Sequence, residues 1–142
     1  MKKIIRLYIG CGLTQAPPEF VAEVDRFKES LQAEYHIYHF MGLEGGTNQD
    51  VYRRDIEVCV AECDLFVAIC DYPSIGLGYE LATAVEALGK PTLAVAHRDS
   101  KITRLIQGVP LPKFEFRRYN ELEDVKGFIR DKASGLLMPN PA

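Results

Sequence analysis

Several features that mark common protein classes are scarce in this sequence. The net charge over 142 residues is −3, so no broad basic surface points to binding of a nucleic acid polymer. No apolar run approaches the roughly 20 residues of a membrane span. Arg6 interrupts the short apolar run at the start, so we expect neither a membrane anchor nor a signal peptide. The four cysteines have no CxxC spacing, which predicts reduced, buried thiols in a cytoplasmic protein rather than a zinc site.

Sequence motifs for several kinds of site are also missing. Gly76 and Gly78 are not followed by the third glycine of GxGxxG, and the loop GxxxxGK[ST] is absent, which argues against nicotinamide or ATP sites of those kinds. His36 and His39 are three residues apart on a predicted strand, so they would face opposite sides and form no metal site. Ser74 has no histidine at the offset of a serine-hydrolase triad. Metal, dinucleotide and serine-hydrolase sites therefore lack support.

The most informative part of the chain is the stretch 64–80, which reads DLFVAICDYPSIGLGYE. Residues 65–70 form a short apolar run, typical of a strand buried on both faces of a parallel sheet. A turn composition follows at 71–74, and a helical pattern begins at about Gly78 and ends at Gly89, a common residue at a helix end. Glu80 would then stand in the first helical turn, facing the crevice where open α/β sheets bind ligands. There the helix dipole would keep its carboxylate ionised, as a nucleophile or base requires.

The remaining segments alternate between strand-like and helix-like patterns. Strands are predicted at 3–9, 34–40, 91–96 and 113–118, the last of them at the sheet edge. Helices are predicted from Pro17 and Pro18, and at 51–63, 101–107 and 121–133, the last three capped by Asp50, Ser100 and Asn120. This alternation predicts one α/β domain over 1–134 with a doubly wound, mainly parallel, five-stranded sheet of the flavodoxin-like or Rossmann-like type. A loosely held tail would cover 135–142.

Two features have more than one interpretation. The polar, glycine-rich segment 42–50 (GLEGGTNQD) is either a mobile lid or only a connection. Asp55 and Glu57 precede the central strand, where acids usually form a solvated helix face. One of them could instead reach the crevice as an acid–base group.

The central motif resembles that of a known superfamily. Residues 72–82 (YPSIGLGYELA), with Val67 and Ala68, are similar to the nucleoside 2-deoxyribosyltransferase superfamily. The closest branch is that of the 2′-deoxynucleoside 5′-monophosphate N-glycosidases, which carry a P-S-x-G-x-G-Y-E-L pattern. Tyr8 and the segments 63–64 and 106–108 match less specifically. The resemblance implies a flavodoxin-like core, a deoxynucleotide or deoxynucleoside as the small-molecule substrate, no metal or organic cofactor, and a homodimer or higher oligomer with shared active sites.

The resemblance also implies a role for each matching residue. Glu80 would be the nucleophile that attacks C1′ of the deoxyribose, and Tyr8 would position the sugar. Asp55 would be the second acid, although its spacing to Asp64 is one residue longer than in the family, so Glu57 remains an alternative. The substrate-binding positions would be Gly10, Gly12, Ser74, Gly76, Gly78 and Thr103. The hydroxyl of Thr103 would contact the phosphate bound in the site of a neighbouring subunit.

One loop departs from the family pattern. The monophosphate hydrolases have a loop resembling G-S-x-R, whose serine and arginine bind the phosphate, whereas residues 11–14 read CGLT. Losing a bidentate cationic donor weakens phosphate binding. The candidates for a replacement are Arg53, Arg54, His97 and Arg98.

Three functions are therefore compared: a monophosphate N-glycosidase, a deoxyribosyltransferase exchanging bases on nucleosides, and a non-catalytic nucleotide-binding module. The C-terminal residues lack the aromatic-rich end associated with the transferases, so the hydrolase is the favoured prediction.

Overall fold

Five parallel strands form the centre of the fold in the computed structural model, which describes residues 3–137. Their order is β2-β1-β3-β4-β5, which confirms the predicted flavodoxin-like sheet. β3 is buried along its whole length, as its apolar run predicts. The strand bounds are β1 (Arg6–Cys11), β2 (His36–Tyr38), β3 (Leu65–Ile69), β4 (Thr92–His97) and β5 (Phe114–Tyr119).

Helices cover both faces of the sheet. The first face carries α1 (Pro18–Leu31) and α5 (Asp124–Leu137), whose apolar side chains pack on alternate residues of β1, β3 and β4. The second face carries α2 (Asn48–Tyr52, continued by a π-helical segment Arg53–Val60) and α3 (Ile75–Ala82, continued by a π-helical segment Thr83–Ala87). A short α4 (Arg104–Gln107) links β4 to β5. Within residues 3–137, no helix combines the length and the apolar character that crossing a bilayer requires.

The alternation of side chains along β1 decides which of its residues reach the second face. Leu7, Ile9 and Cys11 pack towards α1 and α5. Because successive side chains on a strand point to opposite faces, Tyr8 and Gly10 lie under α2 and α3. The hydroxyphenyl ring of Tyr8 and the backbone of Gly10 therefore face α3, the helix that carries Glu80.

Several helix starts differ from the sequence-based predictions. Thr47, and not Asp50, caps α2: its hydroxyl accepts the N–H of Asp50, whose carboxylate in turn accepts the N–H of Thr47. The polar segment predicted at 42–50 is thus shortened by the first helical turn. Thr103, and not Ser100, caps α4. In both cases a threonine directly before the first helical residue accepts a free N–H group of the first turn.

The last helix also begins and ends later than predicted. It starts at Asp124, whose carboxylate accepts the N–H groups of Asn120 and Glu121. It continues to Leu137, so the predicted tail boundary at Gly135 falls inside the helix, and residues 138–142 lie outside the described part. Gly89 has φ +57° at the end of the helical segment, as expected of a residue that ends a helix.

Candidate active site

The position of Glu80 follows from where α3 begins. Ser74 is the N-cap: its backbone is extended and its hydroxyl oxygen accepts the N–H of Leu77 at 3.0 Å. The helix therefore starts at Ile75, and Gly76 and Gly78 are helical, which corrects the predicted glycine-containing loop. Glu80 is the sixth residue of the helix, in its second turn and not its first. At this position its side chain faces the sheet and contacts β1.

The carboxylate of Glu80 packs directly against the backbone of β1. A Cβ atom placed on Gly10 would lie 3.1 Å from Oε2 of Glu80 and 3.3 Å from side-chain atoms of both Leu77 and Phe66. Glycine at position 10 therefore makes room for the carboxylate. Among the described residues, Oε2 of Glu80 is the one buried side-chain oxygen or nitrogen without a hydrogen-bond partner.

Burial changes the ionisation of Glu80. Loss of solvation raises the pKa of its carboxyl group from 4.5 to about 8; the charge of Asp55 adds to the shift, and the Tyr8 hydroxyl and Lys28 oppose it. Burial disfavours the charged form of an acid. The expectation that the helix dipole keeps this carboxylate ionised is therefore wrong, because a carboxyl group with this pKa is mostly protonated at neutral pH.

Tyr8 forms the floor beside Glu80. It is fully buried, its ring stacks on Phe66 with centroids 5.2 Å apart, and the ring of Phe40 meets it edge-on at 6.4 Å. Burial and the neighbouring charge of Glu80 raise its pKa, so it remains a neutral phenol. Its hydroxyl is close enough to Glu80 to influence that carboxyl group.

The second acid of the site is Asp55. It lies on the π-helical segment of α2, half-buried, and its Oδ1 accepts the N–H of Met41 at 3.0 Å. Burial raises the pKa of its carboxyl group. Glu57 is exposed and does not line the cavity. A π-helical turn accommodates an extra residue relative to an α-helix, which gives a physical reason for the longer spacing between Asp55 and Asp64.

Tyr8, Asp55 and Glu80 line one cavity of about 320 Å³, which we call the active-site cavity. Its walls come from the segments after β1, β2 and β3. Ser74 and Gly76 also line it, while Gly10 lies beneath Glu80. The remaining lining side chains within residues 3–137 include no arginine, lysine or histidine: Cys11, Leu13, Thr14, Gln15, Phe40, Met41, Gly42, Leu43, Val51, Pro73, Ile75 and Leu77.

The other predicted binding residues, Gly12, Gly78 and Thr103, do not line the active-site cavity. Gly12 supports it, because a Cβ atom there would stand 2.9 Å from the carbonyl oxygen of Tyr72 and 3.0 Å from Cβ of Ser74. A Cβ on Gly78 would meet no atom within 4 Å, so this glycine borders open space. Thr103 caps α4 and does not line the cavity.

None of the predicted replacement cations lines the cavity either. Arg53 is exposed, and the guanidinium of Arg54 donates to the carbonyl of His39 at 2.9 Å. His97 is the last residue of β4 and Arg98 follows it, and neither lines the cavity. Among the described residues, no group of three or more histidine, cysteine, aspartate or glutamate side chains is arranged to hold a metal ion.

A cluster around Asp71 was not predicted from the sequence. Its Oδ1 accepts the backbone N–H of His97 and the hydroxyl of Ser100, each at 2.6 Å, and its Oδ2 accepts the hydroxyl of Tyr119. These bonds join the ends of β3, β4 and β5. Asp71 borders a larger groove of about 760 Å³, but both of its oxygens are bonded, so we place the active site in the smaller cavity, where an acid remains unpartnered.

Comparison with known proteins identifies the family. No family model matches the chain. A protein of Syntrophotalea carbinolica is 35% identical over 100 residues, which cover 68% of this chain and 68% of that protein, and it carries the provisional name 2′-deoxynucleoside 5′-phosphate N-hydrolase 1. The chain belongs to the 2′-deoxynucleoside 5′-phosphate N-hydrolase family. The resemblance seen in the central motif is thereby confirmed.

Two further relatives carry the same provisional N-hydrolase name. The protein of Thermofilum pendens is 32% identical over 83 residues, which cover 57% of this chain and 57% of that protein. The protein of Methanosarcina mazei is 31% identical over 85 residues, which cover 60% of this chain and 52% of that protein. The chain thus matches about half to two thirds of the length of these N-hydrolase relatives.

Two solved structures share the fold of this N-hydrolase family member. The CMP N-glycosidase of Clostridium botulinum aligns with a TM-score of 0.65 and 18% identity, covering 88% of this chain and 98% of that chain. The 2-deoxyribosyltransferase of Leishmania mexicana aligns with a TM-score of 0.62 and 13% identity, covering 89% of this chain and 97% of that chain.

Proposed function

We propose that the chain hydrolyses the N-glycosidic bond of 2′-deoxynucleoside 5′-monophosphates, giving the free base and 2-deoxyribose 5-phosphate. The observation that carries the proposal is the buried, unpartnered Oε2 of Glu80 beside Asp55 in one cavity, in a member of an N-hydrolase family. A buried acid without a partner is costly. Such a group is explained if it serves a ligand.

The first chemical step breaks the bond between C1′ and the base. The ionised carboxylate of Glu80 bonds to C1′ as the electron pair of the C1′–N bond moves to the base nitrogen. Asp55, whose pKa is raised by burial, protonates the departing base. Water then attacks C1′, the ester bond to Glu80 breaks, and Asp55 recovers the proton from that water. This sequence corresponds to retaining glycoside hydrolysis, in which two carboxyl groups act on an oxocarbenium-like transition state.

The raised pKa of Glu80 has a cost and a benefit for this step. At pH 7 a group with a pKa of about 8 is ionised in about a tenth of the molecules. The poorly solvated carboxylate is, however, strongly stabilised by the positive charge that develops on the sugar in the transition state. The neighbouring Tyr8 hydroxyl, which interacts with the Glu80 carboxyl group, would hold the carboxylate in place.

The phosphate would bind at the start of α3. Ser74 accepts a bond from Leu77, which leaves its hydroxyl proton free to donate. The first N–H groups of the helix, on Ile75 and Gly76, have no partner within the helix, and such groups hold anions. Gly12 and Gly76 keep this approach free of side chains. We assign Gly78 only the role of a helical residue next to it.

A second subunit would complete the site. Exposed apolar side chains lie along α2 and α3, at Tyr52, Ile75 and Tyr79, and Leu105 beside Thr103 is also exposed. Exposed apolar surface of this kind is typical of an interface between subunits. In such a dimer Thr103 of one subunit would donate its hydroxyl to the phosphate bound by the other.

One observation favours a second candidate, a deoxyribosyltransferase acting on nucleosides. The active-site cavity has two acids and no cation among the described lining residues, and an uncharged nucleoside fits these charges better than a phosphate dianion. A transferase would resolve the glycosyl-Glu80 ester with a second base instead of water.

Chromatography of base release distinguishes these functions. The protein is incubated with each 2′-deoxynucleoside and each 5′-monophosphate, with and without an excess of a different free base. Release from monophosphates that is lost in Glu80→Gln and kept in Glu57→Gln supports the hydrolase. A new nucleoside formed only with added base supports the transferase. Binding without turnover would leave a nucleotide-binding module and overturn both enzymatic proposals.

A further inference from the structure

Lys28 is an unusual residue of α1. Its side chain is only 4% exposed, and its nearest carboxylate, Asp25, is 4.0 Å from its Nζ and itself 60% exposed. The ammonium group stands over the ring of Phe40, 4.1 Å from the ring centroid. Lysine is almost never fully buried unless it is paired, and a distant, solvated aspartate is a weak partner. The packing of α1 on the sheet does not require a charge here.

Lys28 lines a cavity of about 490 Å³ that adjoins the active site. We call it the Lys28 cavity. It shares four lining residues with the active-site cavity: Leu13, Phe40, Gly42 and Leu43. Leu43 is 73% exposed, so little packing holds it in the wall between them. We expect rotation of this side chain to connect the two cavities.

The strand order fixes how a nucleotide would lie along this surface. Ser74 follows β3, Gly10 of β1 contacts Glu80, and Phe40 follows β2, while the strand order is β2-β1-β3. Neighbouring strands are about 4.8 Å apart. With the phosphate at Ser74 and C1′ at Glu80, the base extends towards β2, because the base on C1′ and the 5′-phosphate on C4′ are attached at opposite ends of the sugar, on either side of the ring oxygen. Phe40 and Lys28 stand at that end.

We propose that Lys28 binds the nucleobase, donating a hydrogen bond to an exocyclic carbonyl oxygen, and so selects oxo bases over adenine. The proposal rests on the function proposed above for the direction of the nucleotide. An ammonium group has three donors and no acceptor. It therefore favours a carbonyl oxygen and disfavours an amino group at the same position. The same charge stabilises the electron pair that the departing base receives.

The electrostatics of Lys28 agree with this role. Burial lowers its pKa, and the nearby Cys11, Asp25 and Glu80 oppose that effect. An oxygen acceptor that enters the cavity restores part of the lost solvation of the ammonium group. A ligand with such an oxygen is thus bound more tightly than one without it.

The test uses two nucleotides that differ only at C6 of the purine, 2′-deoxyinosine 5′-monophosphate (oxo) and 2′-deoxyadenosine 5′-monophosphate (amino). Their affinities are measured by calorimetry for Glu80→Gln, which cannot form the ester, and for the same variant with Lys28→Met added. Arg26→Met, which removes an exposed positive charge from the same helix, is the control. We expect Lys28→Met to weaken binding of the oxo nucleotide by about tenfold to a hundredfold and to leave binding of the amino nucleotide within about threefold, with no change for Arg26→Met.

Other outcomes overturn the proposal in distinguishable ways. Equal losses for both nucleotides, with no loss for the corresponding nucleosides, would show that Lys28 contacts the phosphate. A Glu80→Gln chain with Lys28 intact that binds the amino nucleotide more tightly would refute it without any Lys28 variant, which covers the case in which Lys28→Met does not fold. Oxo-selective binding that depends on Lys28 but without turnover by the wild-type chain would keep this inference and reject the proposed hydrolysis.

Discussion

Replacing Glu80 by glutamine should stabilise the fold, and the gain should increase with pH. The pKa of this carboxyl group is about 8 in the folded chain against an ordinary 4.5. Because the folded state holds the proton more tightly than the unfolded state, the free energy of unfolding falls as the pH rises from about 4.5 to about 8. Glutamine keeps the shape of the protonated acid and does not titrate.

The size of the effect follows from the same shift. One pKa unit corresponds to about 1.4 kcal/mol, so the wild-type chain loses up to about 3 kcal/mol by pH 7 and up to about 5 kcal/mol above pH 8. Water that enters the cavity would solvate the carboxylate and reduce both figures. For a chain of this size, about 3 °C of Tm accompanies each kcal/mol. We therefore expect Glu80→Gln to raise the Tm by up to about 10 °C at pH 7 and hardly at all near pH 4.5.

Thermal unfolding followed by circular dichroism at pH 5, 7 and 9 measures this difference. Glu57→Gln, which removes an exposed acid from α2, should change the Tm little, and equally at each pH. A gain for Glu80→Gln that is the same at pH 5 and pH 9 would show that packing and not ionisation is responsible. A loss of stability at pH 9 would refute the argument altogether.

Three further predictions concern Glu80, the glycines Gly12 and Gly78, and Asp71. The kcat/KM for base release should follow a bell-shaped pH profile whose alkaline side falls with an apparent pKa near 8, because Asp55 must be protonated while Glu80 is ionised, and the last proton leaves this pair near that pH; a rate that rises to a plateau above pH 8 contradicts this. Gly12→Ala should lower the free energy of unfolding by about 1–3 kcal/mol, because the new Cβ would lie 2.9 Å from a backbone oxygen. Gly78→Ala should raise it by about 0.5–1 kcal/mol, because this helical glycine borders open space. Urea denaturation compares the two variants, and equal effects would refute the packing argument. Asp71→Asn should lower the free energy of unfolding by about 1–3 kcal/mol in the same assay, because the new amide group would face the Tyr119 hydroxyl, which donates to Asp71. The loss should be smaller when Tyr119 is already phenylalanine. An unchanged loss would show that the two side chains act independently.

The sheet could be predicted because its strands are short apolar runs separated by clear turn and helix signals. β3 is buried on both faces, and such a strand must be apolar throughout. Phe114 and Phe116 alternate with polar residues, as expected at the edge position that β5 takes. The alternation of strands and helices predicted a parallel, doubly wound sheet, and the observed strand order is the flavodoxin-like one of the two types predicted.

The start of α3 was misplaced because two weak helix formers, Gly76 and Gly78, hid it. Glycine lowers helix propensity, so the pattern seemed to begin after them, although Ser74 is a good N-cap. The error moved Glu80 to the first turn and led to the wrong ionisation state. Helix caps outweigh propensity over a short stretch, since they satisfy N–H groups that otherwise have no partner.

Lys28 and the Asp71 cluster could not have been found from the sequence. The spacing of Lys28 within α1 is that of an ordinary lysine near a helix end, and its contact with the ring of Phe40 forms only in the folded chain. The partners of Asp71 come from segments 26 to 48 residues away. No local pattern indicates such contacts. They depend on strands that meet only in the folded sheet.

The proposed covalent bond between Glu80 and the sugar can be detected by intact-protein mass spectrometry. The wild-type chain is quenched in acid during turnover of a 2′-deoxynucleoside 5′-monophosphate, and the labelled peptide is sequenced. We expect an added mass of one 2-deoxyribose 5-phosphate unit on the peptide that contains Glu80, and none in Glu80→Gln. Base release with an unmodified Glu80, or release that persists in Glu80→Gln, would contradict it.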